Sequence, residues 1–201
     1  MTVRWSVSSI ALPGQNRSGD VHVLESFDGG LLLGAVDGLG HGDAAALAAE
    51  TAVRSLSEDP ALTVLSLVQK AHDALRSTRG VVMSLASFRV SDRLLTWLGV
   101  GNIEGVLLRA NPDAVPPREV VALRGGVVGY QLPQLHATIH QINPGDVLVF
   151  ATDGIRNFQQ ALLACTPAPL EELTRRLCAE YSNGTDDVLA FAARFDKSPD
   201  R

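Results

Sequence analysis

The chain is 201 residues long, 46% hydrophobic but only 5% aromatic, with a formal net charge of -5 at pH 7. Those values bound it to a single domain, residues 1–201, with a mainly aliphatic core, and the acidic balance argues against nucleic acid as a partner. No apolar run nears the roughly 18 residues of a membrane span, the N-terminus has no signal-peptide pattern, and two lone cysteines (Cys165 and Cys178) imply a reducing cytoplasm rather than a disulfide framework.

In chain order, Arg4 to Ala11 reads as a first strand, and Pro13 to Asp20 as a polar turn. Val21 to Ser26 returns as a strand, and Asp28-Gly29-Gly30 makes a tight hairpin into the apolar run Leu31 to Val36. Asp20 therefore opens one strand and Asp37 closes the next. In an antiparallel pair the two carboxylates meet at one sheet end. Helices are predicted from Asp43 to Leu56 and from Leu62 to Ser77.

Strand patterns resume at Val81 to Val90, Leu94 to Val100 and Ile103 to Ala110, read as successive antiparallel strands. Further strands are expected over Arg118 to Leu123, Leu135 to Ile142 and Asp146 to Ala151. The last ends in Thr152-Asp153-Gly154. Helices follow from Arg156 to Leu163 and Leu170 to Tyr181, and Asp186 to Phe195 is a final strand opened by two carboxylates. The order of elements favours two packed sheets with helices outside, an α+β architecture, over a parallel βαβ fold.

Asp20, Asp37, Asp153 and Asp186 share one description: each lies at a strand end beside glycine or a turn. Any one alone reads as a turn former. Together, converging carboxylates repel and call for a cation. An all-oxygen set with no Cys/His cluster selects Mg2+ or Mn2+ over Zn2+. His136 and His140 lack an evident third ligand and read as structural. Cys165 and Cys178 read as small core or surface residues.

Six short pieces recur in order: Ser18-Gly19-Asp20, Asp37-Gly38-Leu39-Gly40-His41-Gly42, Gly99-Val100-Gly101-Asn102, Pro144-Gly145-Asp146, Thr152-Asp153-Gly154 and Asp186-Asp187. In these the chain resembles the metal-dependent PPM-type protein serine/threonine phosphatases, specifically the bacterial SpoIIE/RsbX-like branch. The resemblance implies a four-layer α/β/β/α sandwich holding two Mn2+ or Mg2+ ions. It implies that Asp37 bridges both ions, that Asp20 and the Gly38 carbonyl serve one, and that Asp153 and Asp186 serve the other. Asp187 would orient Asp186 from behind. The expected substrate is a phosphorylated signalling protein with an antisigma-antagonist-type domain; the alternative is a catalytically weak docking module.

Two departures stand out. Where eukaryotic members carry His after the Asp-Gly pair, this chain has Leu39, and His41 comes later, as a general acid or as a shaper of the loop. Where they place a phosphate-gripping arginine, this chain has Gln15. Arg17 is close but out of register, either a phosphate ligand or, the favoured reading, a solvated turn residue.

Overall fold

A computed structural model describes residues 1–197. The first sheet joins β2 (Asp20–Phe27), β3 (Gly30–Gly38), β4 (Val81–Arg89), β5 (Leu94–Val100) and β8 (Thr138–Gln141), in the order β2-β3-β4-β5-β8. The second joins β1 (Thr2–Ile10), β10 (Val188–Asp196), β9 (Val147–Ala151), β6 (Glu104–Leu108) and β7 (Arg118–Glu119), in that order. Every ladder between these strands is antiparallel. Helices α1 (Asp43–Ser57) and α2 (Val64–Ala74) cover the outer face of the first sheet; α3 (Phe158–Cys165) and α4 (Leu170–Tyr181) cover the second. The result is the expected four-layer sandwich.

Period-two alternation explains the layering. In β3, Leu32 and Val36 face the helices, while Leu33 and Ala35 face the opposite sheet. In β9, Leu148 and Phe150 meet them between the sheets, and Val147, Val149 and Ala151 face α3 and α4. Trp97 anchors the middle layer, its indole N–H donating to Ser84 Oγ at 2.9 Å. Burying both faces of both sheets explains the near-continuous apolar runs. Among the described residues no helix is long and apolar enough to cross a membrane.

The structure revises several boundaries. The expected succession of strands breaks after β5: β4 and β5 pair, but β6 belongs to the other sheet. The switch runs through Gly101, held at φ +96, and Asn102. The expected strand over Arg118 to Leu123 shrinks to Arg118–Glu119, because beyond it Val121 and Leu123 pack on the inter-sheet core without a ladder. The Leu62–Ser77 helix is shorter, since the Thr63 hydroxyl caps it by accepting from Ser66 N at 3.2 Å. Of Leu135 to Ile142 only Thr138–Gln141 is strand, so His136 shares no strand face with His140. Cys165 and Cys178 are both buried and free.

Candidate metal centre

Asp20 and Asp37 are direct cross-strand partners in the β2–β3 ladder. Parity decides where they point. Asp37 continues the Leu33–Ala35 face and Asp20 the Leu24 face, so both enter the space between the sheets at its open end. Thr152 continues the Leu148–Phe150 face from the opposite sheet. Its hydroxyl donates to Asp20 Oδ2 at 2.7 Å and accepts from Leu189 N at 2.8 Å.

The other two candidates come from the second sheet. Asp153 follows Thr152, and Asn102 Nδ2 donates to its Oδ2 at 2.7 Å. Asp186 Oδ1 accepts from Asp187 N at 2.8 Å. Asp187 does something other than expected. Its buried carboxylate accepts from Leu12 N at 2.7 Å and Gly19 N at 2.6 Å. It thus fixes the turn that delivers Asp20, and its side chain does not brace Asp186.

The backbone around Asp37 is clamped from both sides. Gly38 N donates to Gly19 O at 3.0 Å, and Leu39 N donates to Gly80 O at 3.1 Å. Gly38 must be glycine, because a Cβ there would strike the Ala45 backbone at the start of α1. Leu39, where the resemblance leads one to expect His, packs on the inter-sheet core. His41 stands exposed on the loop. Arg17 is exposed and ion-paired with Glu50 on α1, which supports its reading as a turn residue.

Electrostatics single this end out. Burial, then the charges of Asp20, Asp153, Asp186 and Asp187, push the Asp37 carboxyl up to about 9. Burial likewise raises Asp20 to about 7, with the Thr152 hydrogen bond offsetting part of the effect and Asp187, Asp186 and Asp153 adding to it. Burial and Asp186 also raise Asp153. Among the described residues no salt bridge reaches any of these five carboxylates. Nor, among the described residues, do three His, Cys, Asp or Glu side chains close into a ready-made cage. A set made only of carboxylates suits a hard cation that keeps part of its water shell.

Sequence reading missed Thr152 and Asn102 as partners of the acidic residues. The signal for Thr152 was present in the period-two pattern of its strand. Asn102 became visible only when Gly101 carried the chain between sheets.

The family described as Stage II sporulation protein E (SpoIIE) matches residues 28–196. The phosphoserine phosphatase RsbX of Bacillus subtilis (strain 168) is 24% identical over 143 residues, 71% of this chain and 69% of that protein. A structure from work on the bacterial stressosome, a modular system adapted to control secondary messenger signalling, superposes with a TM-score of 0.87 at 29% identity, covering 96% of this chain and 100% of the other. A crystal structure of RsbX in complex with magnesium gives a TM-score of 0.82 at 19% identity, covering 96% of this chain and 94% of the other, a likeness of fold.

Proposed function

Because this chain belongs to the SpoIIE family, a bacterial branch of the PPM-type protein phosphatases, we propose that its substrate is a phosphorylated signalling protein of the partner-switching or stressosome type, with an antisigma-antagonist-like domain, and that two Mn2+ or Mg2+ ions serve the reaction. The observation that carries the metal assignment is the desolvated, uncompensated carboxylate cluster around Asp37, raised to about 9. A dication is the economical way to keep such a group ionised at neutral pH.

In this reading Asp37 would be shared by the two ions, Asp20 and the Gly38 carbonyl would hold one, and Asp153 and Asp186 would hold the other. When bound, the ions supply an acidified water and neutralise charge on the phosphoryl oxygens. The chain's own residues position the donors. Thr152 orients Asp20 from the opposite sheet, Asn102 holds Asp153, and Asp187 locks the Gly19–Asp20 turn. The open end of the sandwich leaves the cluster accessible to a phosphorylated side chain on a protein surface.

The second reading, a docking module with weak chemistry, draws on Leu39 and Gln15 standing where the resemblance leads one to expect a histidine and a phosphate-gripping arginine. One experiment separates the two: hydrolysis of an aryl phosphate and of a phosphoserine protein, with Mn2+ and with chelator, for wild type and Asp37→Asn. Turnover that needs the metal and falls about a thousandfold in the variant supports the phosphatase site. Full activity in a folded Asp37→Asn protein removes the bridging assignment. Binding of the phosphoprotein without turnover under any metal establishes the docking module.

A further inference from the structure

The phosphate grip expected upstream of Asp20 is missing. Gln15 stands at that position, and its neutral amide packs on the catalytic loop: a Cβ on Gly42 would lie 2.7 Å from Gln15 Oε1. Arg17 is spent on Glu50. Two residues earlier, the same loop meets a cation. A Cβ on Gly40, at φ +86, would lie 2.8 Å from Arg79 Nη1, so the guanidinium rests against bare backbone three residues past Asp37.

Arg79 stands on a rigid platform. Thr78 closes the turn after α2, its N–H and hydroxyl donating to Leu75 O at 2.8 and 2.7 Å. Gly80 O accepts from Leu39 N, and Gly80 N donates to Thr78 Oγ1 at 3.0 Å. Val81 and Val128 exchange backbone hydrogen bonds at 2.8 and 2.9 Å, holding the next segment of chain alongside. The backbone of residues 78–81 is thus pinned to the loop that carries Asp37. The Arg79 side chain is exposed and, among the described residues, makes no salt bridge, although five carboxylates stand at this end of the molecule.

We infer that Arg79 is the phosphoryl-binding residue of this protein, gripping the oxygens of the substrate phosphate that face away from the acidic cluster. The inference rests on the phosphatase reading and deepens it. A planar guanidinium suits two phosphate oxygens at once. Its freedom from the neighbouring carboxylates leaves its donors available. Arg124 and Arg156 are also exposed, but their backbones are tied elsewhere, to Gly99 and Gly101 and to Tyr181.

The test is steady-state kinetics with Mn2+ on a phosphoserine peptide, together with competitive inhibition by inorganic phosphate. Arg79→Ala is expected to raise both KM and the phosphate inhibition constant about tenfold or more. Arg79→Lys is expected to recover part of the loss. Mn2+ affinity by calorimetry and the melting temperature should not move, whereas a purely structural role would shift the latter. Arg76→Ala, an arginine paired with Asp73 on the same turn, is the control and keeps both constants. An active wild type with unchanged constants in Arg79→Ala overturns the assignment to Arg79 alone. A wild type without metal-dependent turnover overturns the phosphatase reading and this inference with it.

Discussion

The two ends of strand β9 carry buried charge in opposite ways. At its start, Asp146 is almost fully buried and completely partnered. It accepts from Arg109 Nη1 at 2.7 Å, Ala110 N at 2.9 Å and Asn143 N at 3.0 Å. Arg109 also pairs with Glu119 and donates to Gln141 O at 2.6 Å, and Glu119 pairs with His140. Because β7 and β8 are edges of different sheets, this cluster clips the sandwich together with its own counter-ions. At the far end of β9, beyond Thr152, carboxylates gather and, among the described residues, none of them makes a salt bridge. The first arrangement is complete as a structure. The second is complete only with something added, and that difference separates a structural charge cluster from a functional one.

The largest effect expected of breaking the comparison lies at the balanced end. Arg109→Met should leave the buried Asp146 and the half-buried Glu119 without their shared guanidinium, costing about 3–5 kcal/mol. Thermal unfolding should show a midpoint lower by about 10 °C or more. An unchanged midpoint would mean that water already screens the cluster.

The same kind of operation at the acidic end should have the opposite sign. In metal-free protein at pH 8, Asp37 must take up a proton to be buried, whereas Asn need not, so Asp37→Asn should raise the midpoint by a few degrees. Added Mn2+ should then stabilise wild type and leave the variant nearly unmoved, following mass action. A variant less stable than metal-free wild type would show that Asp37 is satisfied within the chain.

The smallest effect is the pH dependence that accompanies this charge. Asp37, at about 9, and Asp20, at about 7, lie above their ordinary carboxylate values in the folded chain. Their protonated forms therefore favour folding below about pH 4, and that contribution is lost as pH rises through about 7 and then about 9. Metal-free protein should lose stability across this window, and the gain from Mn2+ should be greater at pH 8 than at pH 6. Glu119 runs the other way. Burial pushes it up, but hydrogen bonds from His140 and Arg109 outweigh that and hold it below the usual range. Its contribution is present above the ordinary glutamate value and fades in acid. Melting scans from pH 4 to 9 with and without chelator read both trends.

Much of the acidic end was legible because it follows from local rules. Turn chemistry at Asp28-Gly29 sets the β2–β3 register, and that register alone makes Asp20 and Asp37 partners. The Leu170–Tyr181 bounds of α4 were similarly local. What escaped reading depended on contacts distant in sequence. Leu123 looked like strand because it is apolar, yet its burial comes from lying over Gly99, where a Cβ would sit 2.7 Å from Leu123 Cδ2. Asp187 looked like a brace for its neighbour, yet its partners are Leu12 and Gly19, more than 160 residues away. Pro144-Gly145-Asp146 looked like part of the family's signature, and its physical reason is the Arg109 clip.

From sequence alone came the α+β class, the four acidic positions at strand ends and the preference for an oxygen-loving dication. All three rest on periodicity, turn residues and donor chemistry, which act over a few residues. The tertiary structure decided which carboxylates share a space, which are held by Thr152, Asn102 and backbone N–H groups, and which cation stays free beside them. Those outcomes depend on how two sheets face each other. Arg17 is the cation singled out along the chain, but packing gives it to Glu50 and lays Arg79 against Gly40.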